Sequence, residues 1–180
     1  LLDDIGCNAI RFWGGNVYED DYIYEFCDEH GILIWQDFMM ACGLYPQDDR
    51  MCDALRKEAT SVVRRLRQHP SLFLWTGDNE VDMTADGQQL GLNPNDNKLT
   101  RIILPEVLRD EDPTRPFLPS SPYIDGDCME KGAEYGSEQH LWGPRDYYKH
   151  SFYSKTYANF ASELGYHGCN SPESIRKVIS

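Results

Sequence analysis

Two glutamates stand where hydrolytic chemistry could be done. Glu80 closes Trp75-Thr76-Gly77-Asp78-Asn79-Glu80, and Glu163 lies in Phe160-Ala161-Ser162-Glu163-Leu164-Gly165. Each ends a short apolar run of strand character and is followed by loop-like sequence. A carboxylate at the C-terminal end of a strand is where a (β/α)8 barrel keeps its reacting groups. Two of them, brought together, are what hydrolysis of a glycosidic bond requires. The pair points to an enzyme.

The elements that must position this pair alternate strand and helix. Ala9–Trp13 reads as a strand, broken by Gly14-Gly15. A helix is predicted from about Asp20 to His30, closed by Gly31 as a left-handed cap. Ile32–Trp35 is a continuous apolar strand of the kind buried on both faces. A long helix follows from about Asp49 to Gln68, its apolar stripe carrying Leu55, Ala59, Val62, Val63 and Leu66, until Pro70 forbids continuation. Leu72–Trp75 is the strand that leads to Glu80, and the polar stretch Val81–Asn97 reads as a loop over the active face. Then come a helix over Lys98–Arg109, bent near Pro105, a short strand at Pro116–Leu118 and a proline-broken loop. Gln139–Trp142 and Tyr157–Ala161 are the remaining strands, the second delivering Glu163, and Ser171-Pro172 starts a last helix.

Six βα units in this order mean a parallel sheet. The expected fold is therefore a partial (β/α)8 TIM barrel, with its first and last strands outside residues 1–180. A doubly wound open sheet is the rival, but no Gly-x-Gly-x-x-Gly or P-loop pattern follows any strand. A whole barrel needs about 250 residues, with examples down to roughly 200. The chain begins at Leu1 rather than a methionine, so 1–180 is expected to be one part of a single catalytic barrel domain in a longer chain.

Composition removes some function classes. A formal charge of −13 argues against nucleic acid or an anionic membrane as partner, since both are polyanions. A neutral sugar is unaffected by it. No apolar run approaches the roughly 20 residues of a membrane span. Six cysteines (Cys7, Cys27, Cys42, Cys52, Cys128, Cys169) are dispersed without a Cys-x-x-Cys pair, which favours reduced thiols and a cytoplasmic setting. Five histidines (His30, His69, His140, His150, His167) show no metal-ligand spacing, so no metal is expected.

Other side chains could contact a sugar. Trp13, Trp35, Trp75 and Trp142 fall near strand ends, where a ring suits the apolar face of a pyranose or simply packs in the core. Trp13, beside Gly14-Gly15, and Trp142, in a less regular segment, are the better sugar contacts. Asp37 could bind a sugar hydroxyl or pair with Arg11. His140 and Tyr135 are weaker candidates, and the run Arg64-Arg65-Leu66-Arg67 reads as solvated charge.

Several segments also carry a family likeness. Ile10–Glu19, Gly31–Cys42, Arg65–Leu72 running into Asn79-Glu80, Asp112–Pro116, Ser120-Ser121-Pro122 and Ser162–Gly165 closely resemble, in order, the β-mannosidase branch of glycoside hydrolase family 2. The resemblance implies that Glu80 is the general acid/base at the end of the fourth barrel strand. It implies that Glu163 is the nucleophile at the end of the seventh, and that Asn79 binds the sugar 2-hydroxyl. It further implies a retaining exo-hydrolase of terminal β-D-mannosides, no cofactor, an oligosaccharide or glycoside substrate, and β-sandwich domains ahead of the barrel. Mutual repulsion of the two carboxylates is expected to raise the pKa of the acid. Asp78, where the family usually has asparagine, adds a charge that could alter Glu80, and Leu164 replaces a common aromatic. The alternatives are another family 2 glycosidase (β-galactosidase, β-glucuronidase or exo-glucosaminidase) or a non-catalytic carbohydrate-binding barrel. With strands missing, the isolated chain is expected to be weakly stable or self-associated, because open sheet edges invite pairing.

Overall fold

A computed structural model describes residues 2–87, 92–143, 147, 149–155, 157–165 and 168–179. His167 of the histidine set lies outside them. The architecture is mixed α/β with parallel sheets. In chain order it holds β1 (Ala9–Phe12), α1 (Asp21–His30), β2 (Leu33–Asp37), α2 (Asp49–Leu66), β3 (Leu72–Thr76), α3 (Val81–Gly87) and α4 (Leu104–Glu111). The second part holds β4 (Phe117–Leu118), α5 (Gly126–Lys131), β5 (Glu138–Leu141), β6 (Phe160–Leu164) and α6 (Pro172–Ile175). Among the described residues no helix is long and apolar enough to cross a membrane.

The first four strands form one sheet in sequential order, all parallel. Its helices cover it as the sequence pattern requires. In α2, Leu55, Ala59, Val62, Val63 and Leu66 are buried, and Asp48 caps the start by accepting the Met51 N–H at 2.8 Å. Such a cap contributes about 1 kcal/mol. Gly31 ends α1 at φ 67, the left-handed conformation that a side chain would strain. Tyr24, Phe38, Leu66, Leu72 and Trp75 meet in the core, with the Phe38 and Trp75 rings stacked at 5.2 Å.

Four expectations change. The strands do not make one continuous sheet: among the described residues β5 and β6 pair with each other, in a separate two-stranded parallel sheet. The chain after the two-residue β4 meets β5 through the Glu138 side chain, which hydrogen-bonds Ser121 Oγ and accepts from Tyr123 N–H, rather than through a backbone ladder. The polar stretch after Glu80 is not simply a loop, since α3 forms there and Pro94–Asp96 makes a 3-10 turn, while 88–91 lie outside the described residues. Ahead of Pro105 the helix widens into a π-turn over Leu99–Ile103 before α4. Proline has no N–H for the carbonyl four residues back, and a π-turn absorbs that loss. Last, β6 begins at Phe160 rather than Tyr157, so Glu163 sits within the strand, directly paired with His140. The arginines at the end of α2 are exposed, as expected, and Arg64 and Arg67 both reach Glu111 of α4 from the surface, at 2.6 and 3.1 Å.

Candidate active site

The backbone around Glu80 is fixed from two sides. Asn79 N–H donates to Met40 O at 2.9 Å, Cys42 N–H donates to Asn79 O at 2.8 Å, and Glu80 N–H donates to Ser121 O at 2.8 Å. Gly77 lets the chain pass Pro119, whose carbonyl oxygen would lie 2.1 Å from any Cβ there. Glu80 itself has φ 59, a left-handed conformation rare for a side chain of this size. That costs on the order of 1–3 kcal/mol and persists only where the surroundings over-determine it. Here the flanking loops and α3, whose Thr84 N–H donates to Glu80 O at 2.9 Å, do so.

Arg11 joins the strand ends to one another. Its guanidinium donates to both Asp37 oxygens at 3.2 and 2.6 Å, to Asn79 Oδ1 at 3.0 Å and to Glu163 Oε1 at 3.1 Å. It also lies 5.2 Å over the Trp35 ring. Asp37 is fully buried and accepts a further bond from Gly14 N–H at 3.1 Å. Of the two roles open to Asp37, the structure takes the pairing with Arg11. Burial pushes its carboxyl up to about 6 even against the Arg11 charge.

His140 links the two glutamates. Its Nδ1 lies 2.7 Å from Glu80 Oε1 and 3.5 Å from Glu163 Oε2. Its Nε2 faces Arg11 Nη1 at 3.3 Å, and a guanidinium has only protons to offer. Nε2 is therefore the acceptor, and Nδ1–H donates to Glu80. That bond holds the Glu80 carboxyl below the usual carboxylate range, with burial opposing it. The direction is opposite to the raised value expected from repulsion between the carboxylates. Glu163 Oε2 accepts from Trp142 Nε1 at 2.9 Å. One donor atom each from Glu80, His140 and Glu163 fall within 4.8 Å of one another. Those atoms could hold a cation, but the Arg11 charge beside Glu163 already occupies that electrostatic role.

The cluster opens into a cleft of about 760 Å³ whose walls include Trp13, Asn79, Glu80, His140, Trp142 and Glu163. Trp13 and Trp142 are 40% and 45% exposed. The other two tryptophans are buried: Trp75 donates its Nε1 to Asp112 at 2.9 Å, and Trp35 carries Arg11. Tyr135 does not line the cleft; it stacks on Tyr157 at 4.9 Å.

No family model matches the chain. Among known proteins, it is 35% identical to a β-mannosidase of Mus musculus over 193 aligned residues, and 37% identical to one of Bos taurus over 195. Both alignments take in 98% of this chain and 22% of the relative. A solved β-D-mannosidase from Dictyoglomus thermophilum superposes on 99% of the chain with a TM-score of 0.87 at 37% identity, again over 22% of its own length. The chain is β-mannosidase-like. It spans about a fifth of the length of the curated relatives it matches. A β-glucuronidase of Bacteroides uniformis is a more distant structural neighbour, with TM-score 0.52, 26% identity and 64% of this chain covered.

Several residues of this β-mannosidase-like cleft escaped the sequence reading. Arg11 was noted only as a partner for Asp37, although a lone arginine inside an apolar strand was a signal that it had to be satisfied internally. Cys42, Met83 and Ser162 also line the cleft, and Ser121 and Glu138 stand behind it. Cys42, Ser121 and Ser162 fall inside segments that carry the family likeness, but nothing local marks their place at the cleft, because their neighbours there come from other strands.

Asp78 does not face Glu80. It is fully buried, with Oδ1 accepting from Ser120 Oγ at 2.5 Å and from Val81 N–H at 3.2 Å, so that it caps α3. Oδ2 has no hydrogen-bond partner. Burial raises its carboxyl well above the usual value, and the nearby Asp82 adds to this. A folded-state value above the unfolded one gives stability that is full below about pH 4 and lost as pH rises through the folded value. Asp78→Asn keeps the Oδ1 bonds and removes the titration. Its melting temperature relative to the unsubstituted protein is expected to improve from pH 4.5 to pH 8. Calorimetry at the two pH values checks this, and a variant that fares worse at pH 8 would sink it.

Proposed function

We propose that the chain is part of the catalytic domain of a retaining β-mannoside hydrolase, a domain of (β/α)8 type completed by strands beyond residues 1–180. The observation that carries this reading is the approach of Glu80 and Glu163, with carboxyl oxygens within 4.8 Å. Retaining enzymes hold their two carboxyl groups about 5–5.5 Å apart, too close to admit a water between them. Glu163 then attacks the anomeric carbon, oriented by Arg11 and Trp142. Glu80 protonates the departing oxygen and afterwards takes the proton from the water that releases the sugar.

Asn79 has its Oδ1 held by Arg11 and one amide N–H donated to Cys42 Sγ at 3.5 Å, which leaves its second N–H for a hydroxyl of the bound sugar. Trp13 and Trp142 supply the apolar walls. A glucuronide is the second reading, favoured by the structural neighbour. Against it, the only arginine or lysine lining the cleft among the described residues is Arg11, already bound to four acceptor side chains, Asp37, Asn79, Glu163 and His140. A uronate carboxylate would find no free partner there. In this reading the chain's partners are a glycoside or oligosaccharide substrate and the β-sandwich domains and strands of the longer protein, and the isolated chain, with open strand edges, is weakly stable or self-associated.

The test uses the full-length protein treated with 2-deoxy-2-fluoro-β-mannosyl fluoride, followed by peptide mass mapping. A mannosyl adduct on Glu163 is expected. Labelling of Glu163 by the glucosyl or galactosyl reagent alone would keep the mechanism and change the sugar. No labelling by any of them would leave a carbohydrate-binding protein as the better account.

A further inference from the structure

A third carboxylate stands behind the pair, unused by the chemistry above. Glu138 opens β5 and is 3% exposed. Its Oε1 accepts from Tyr123 N–H at 3.1 Å, and the Ser162 hydroxyl of β6 donates to Oε2. The Ser121 hydroxyl lies 3.2 Å from the same Oε2 and 3.0 Å from His140 Nε2. With a proton on Glu138 Oε2, the Ser121 oxygen accepts from it and the Ser121 hydroxyl donates to Nε2. Glu138 Oε2 and His140 Nε2 are 3.9 Å apart, beyond a direct hydrogen bond, so the serine is the bridge between them. His140 Nδ1 then reaches Glu80 Oε1 at 2.7 Å. Four side chains thus form an unbroken line from a buried carboxyl to the cleft.

The two ends of that line differ in their hold on a proton. Burial pushes Glu138 up to about 7, against the nearby His140, the Arg11 charge and the Tyr123 and Ser121 donors. Glu80 is held below its usual range by His140. The other charged and titratable groups facing the line are Asp37 of β2, bound to Arg11, Cys42 beside Glu80 at 3.4 Å, and Glu163 of β6. Below about pH 7 the group that has to donate is therefore the anion, and the proton sits behind it.

We propose that Glu138, Ser121 and His140 form a proton relay that loads Glu80 with the proton it delivers to the leaving oxygen. This rests on the assignment of Glu80 as the acid/base. Glu138 is a positioning residue in this scheme, acting on Glu80 through His140. Glu138 releases its proton to Ser121 Oγ as Ser121 passes its own to His140 Nε2, and His140 gives its Nδ1 proton to Glu80 Oε1. Afterwards Glu138 is a carboxylate, Ser121 and the imidazole are neutral, and Glu80 is a carboxylic acid. One proton has moved along the line, only O–H and N–H bonds have changed, and no net charge has been made. The loaded imidazole carries its proton on Nε2, against Arg11 Nη1 at 3.3 Å. That contact returns the line to its resting state.

Two measurements on the full-length protein test the relay. Neutron diffraction of deuterium-exchanged crystals at pH 6 is expected to show deuterium on Glu138 and on His140 Nδ1, with none on Nε2 or Glu80. Deuterium on both imidazole nitrogens, or an ionised Glu138, would overturn the proposal whatever the enzyme's activity. The pH profile of kcat/KM on an aryl β-mannoside with a poor leaving group is the second. Glu138→Gln is expected to move the basic limb down by about one pH unit, a tenfold loss of proton occupancy on Glu80. Glu138→Asp should recover part of that shift. A folded Glu138→Gln protein with the basic limb in place would refute the relay. A different failure, in which Glu80→Gln leaves hydrolysis of the same substrate intact, would remove the assignment of Glu80 rather than the protonation pattern.

Discussion

Glu163→Gln is expected to lower kcat/KM on β-mannosides by on the order of 10⁵-fold, about 7 kcal/mol of barrier. The amide keeps the volume and can still accept from Trp142 Nε1, so the loss falls on the attack itself rather than on the fold. Its partner Glu80→Gln should behave differently. Loss of a general acid costs about 10²–10⁴-fold where the leaving oxygen needs a proton, and little with a dinitrophenyl leaving group that does not. Steady-state kinetics of both variants with the two substrates separates the roles. If Glu163→Gln retained more than a tenth of the activity, or if both variants responded alike to the leaving group, the division of labour between the two glutamates would be wrong.

The largest stability effect is expected at Arg11. Arg11→Met would leave Asp37 buried with only the Gly14 N–H as partner. Breaking a buried ion pair from one side costs about 3–5 kcal/mol, because an uncompensated charge remains inside. The sign of the pH dependence follows from Asp37, whose carboxyl is already pushed up to about 6 with Arg11 present. Its stability contribution is full below the unfolded value near 4 and lost as pH rises through the folded value. Without Arg11 the folded value rises further, so the loss in Arg11→Met should be larger at pH 8 than at pH 5. Asp37→Asn in the same chain should restore much of it. Urea unfolding of the two single variants and the double variant gives the coupling directly. Additive costs, or a loss below about 1 kcal/mol for Arg11→Met, would mean that Arg11 does not serve as the internal counter-charge.

These two residues also mark the boundary of what the chain shows without its fold. Leu72–Trp75 and Ile32–Trp35 are apolar runs with strong strand character, and the stripe along Asp49–Gln68 admits only a helix packed by one face. Local preference and burial agree in those segments, so they form β3, β2 and α2 close to where they were expected. Where local signals are weak, tertiary partners decided instead. The Val81–Gly87 helix needs the Asp78 cap and the Glu80 carbonyl to start it. Strand β6 takes its register from β5, and that register sets Glu163 against His140.

The sequence by itself determined the βα order, the buried strands and the two glutamates, because each rests on periodicity or on residue type within a few neighbours. Only the tertiary structure decided that Arg11 would bind Asp37, Asn79 and Glu163 at once. The same holds for His140, set between Glu80 and a buried Glu138. Glu138 and His140 share one face of β5 by alternation, whereas the Arg11 contacts join residues from 26 to 152 positions apart and His140 reaches Glu80 across 60. Hydrogen bonds of that kind are set by strand packing and register, which no local spacing encodes.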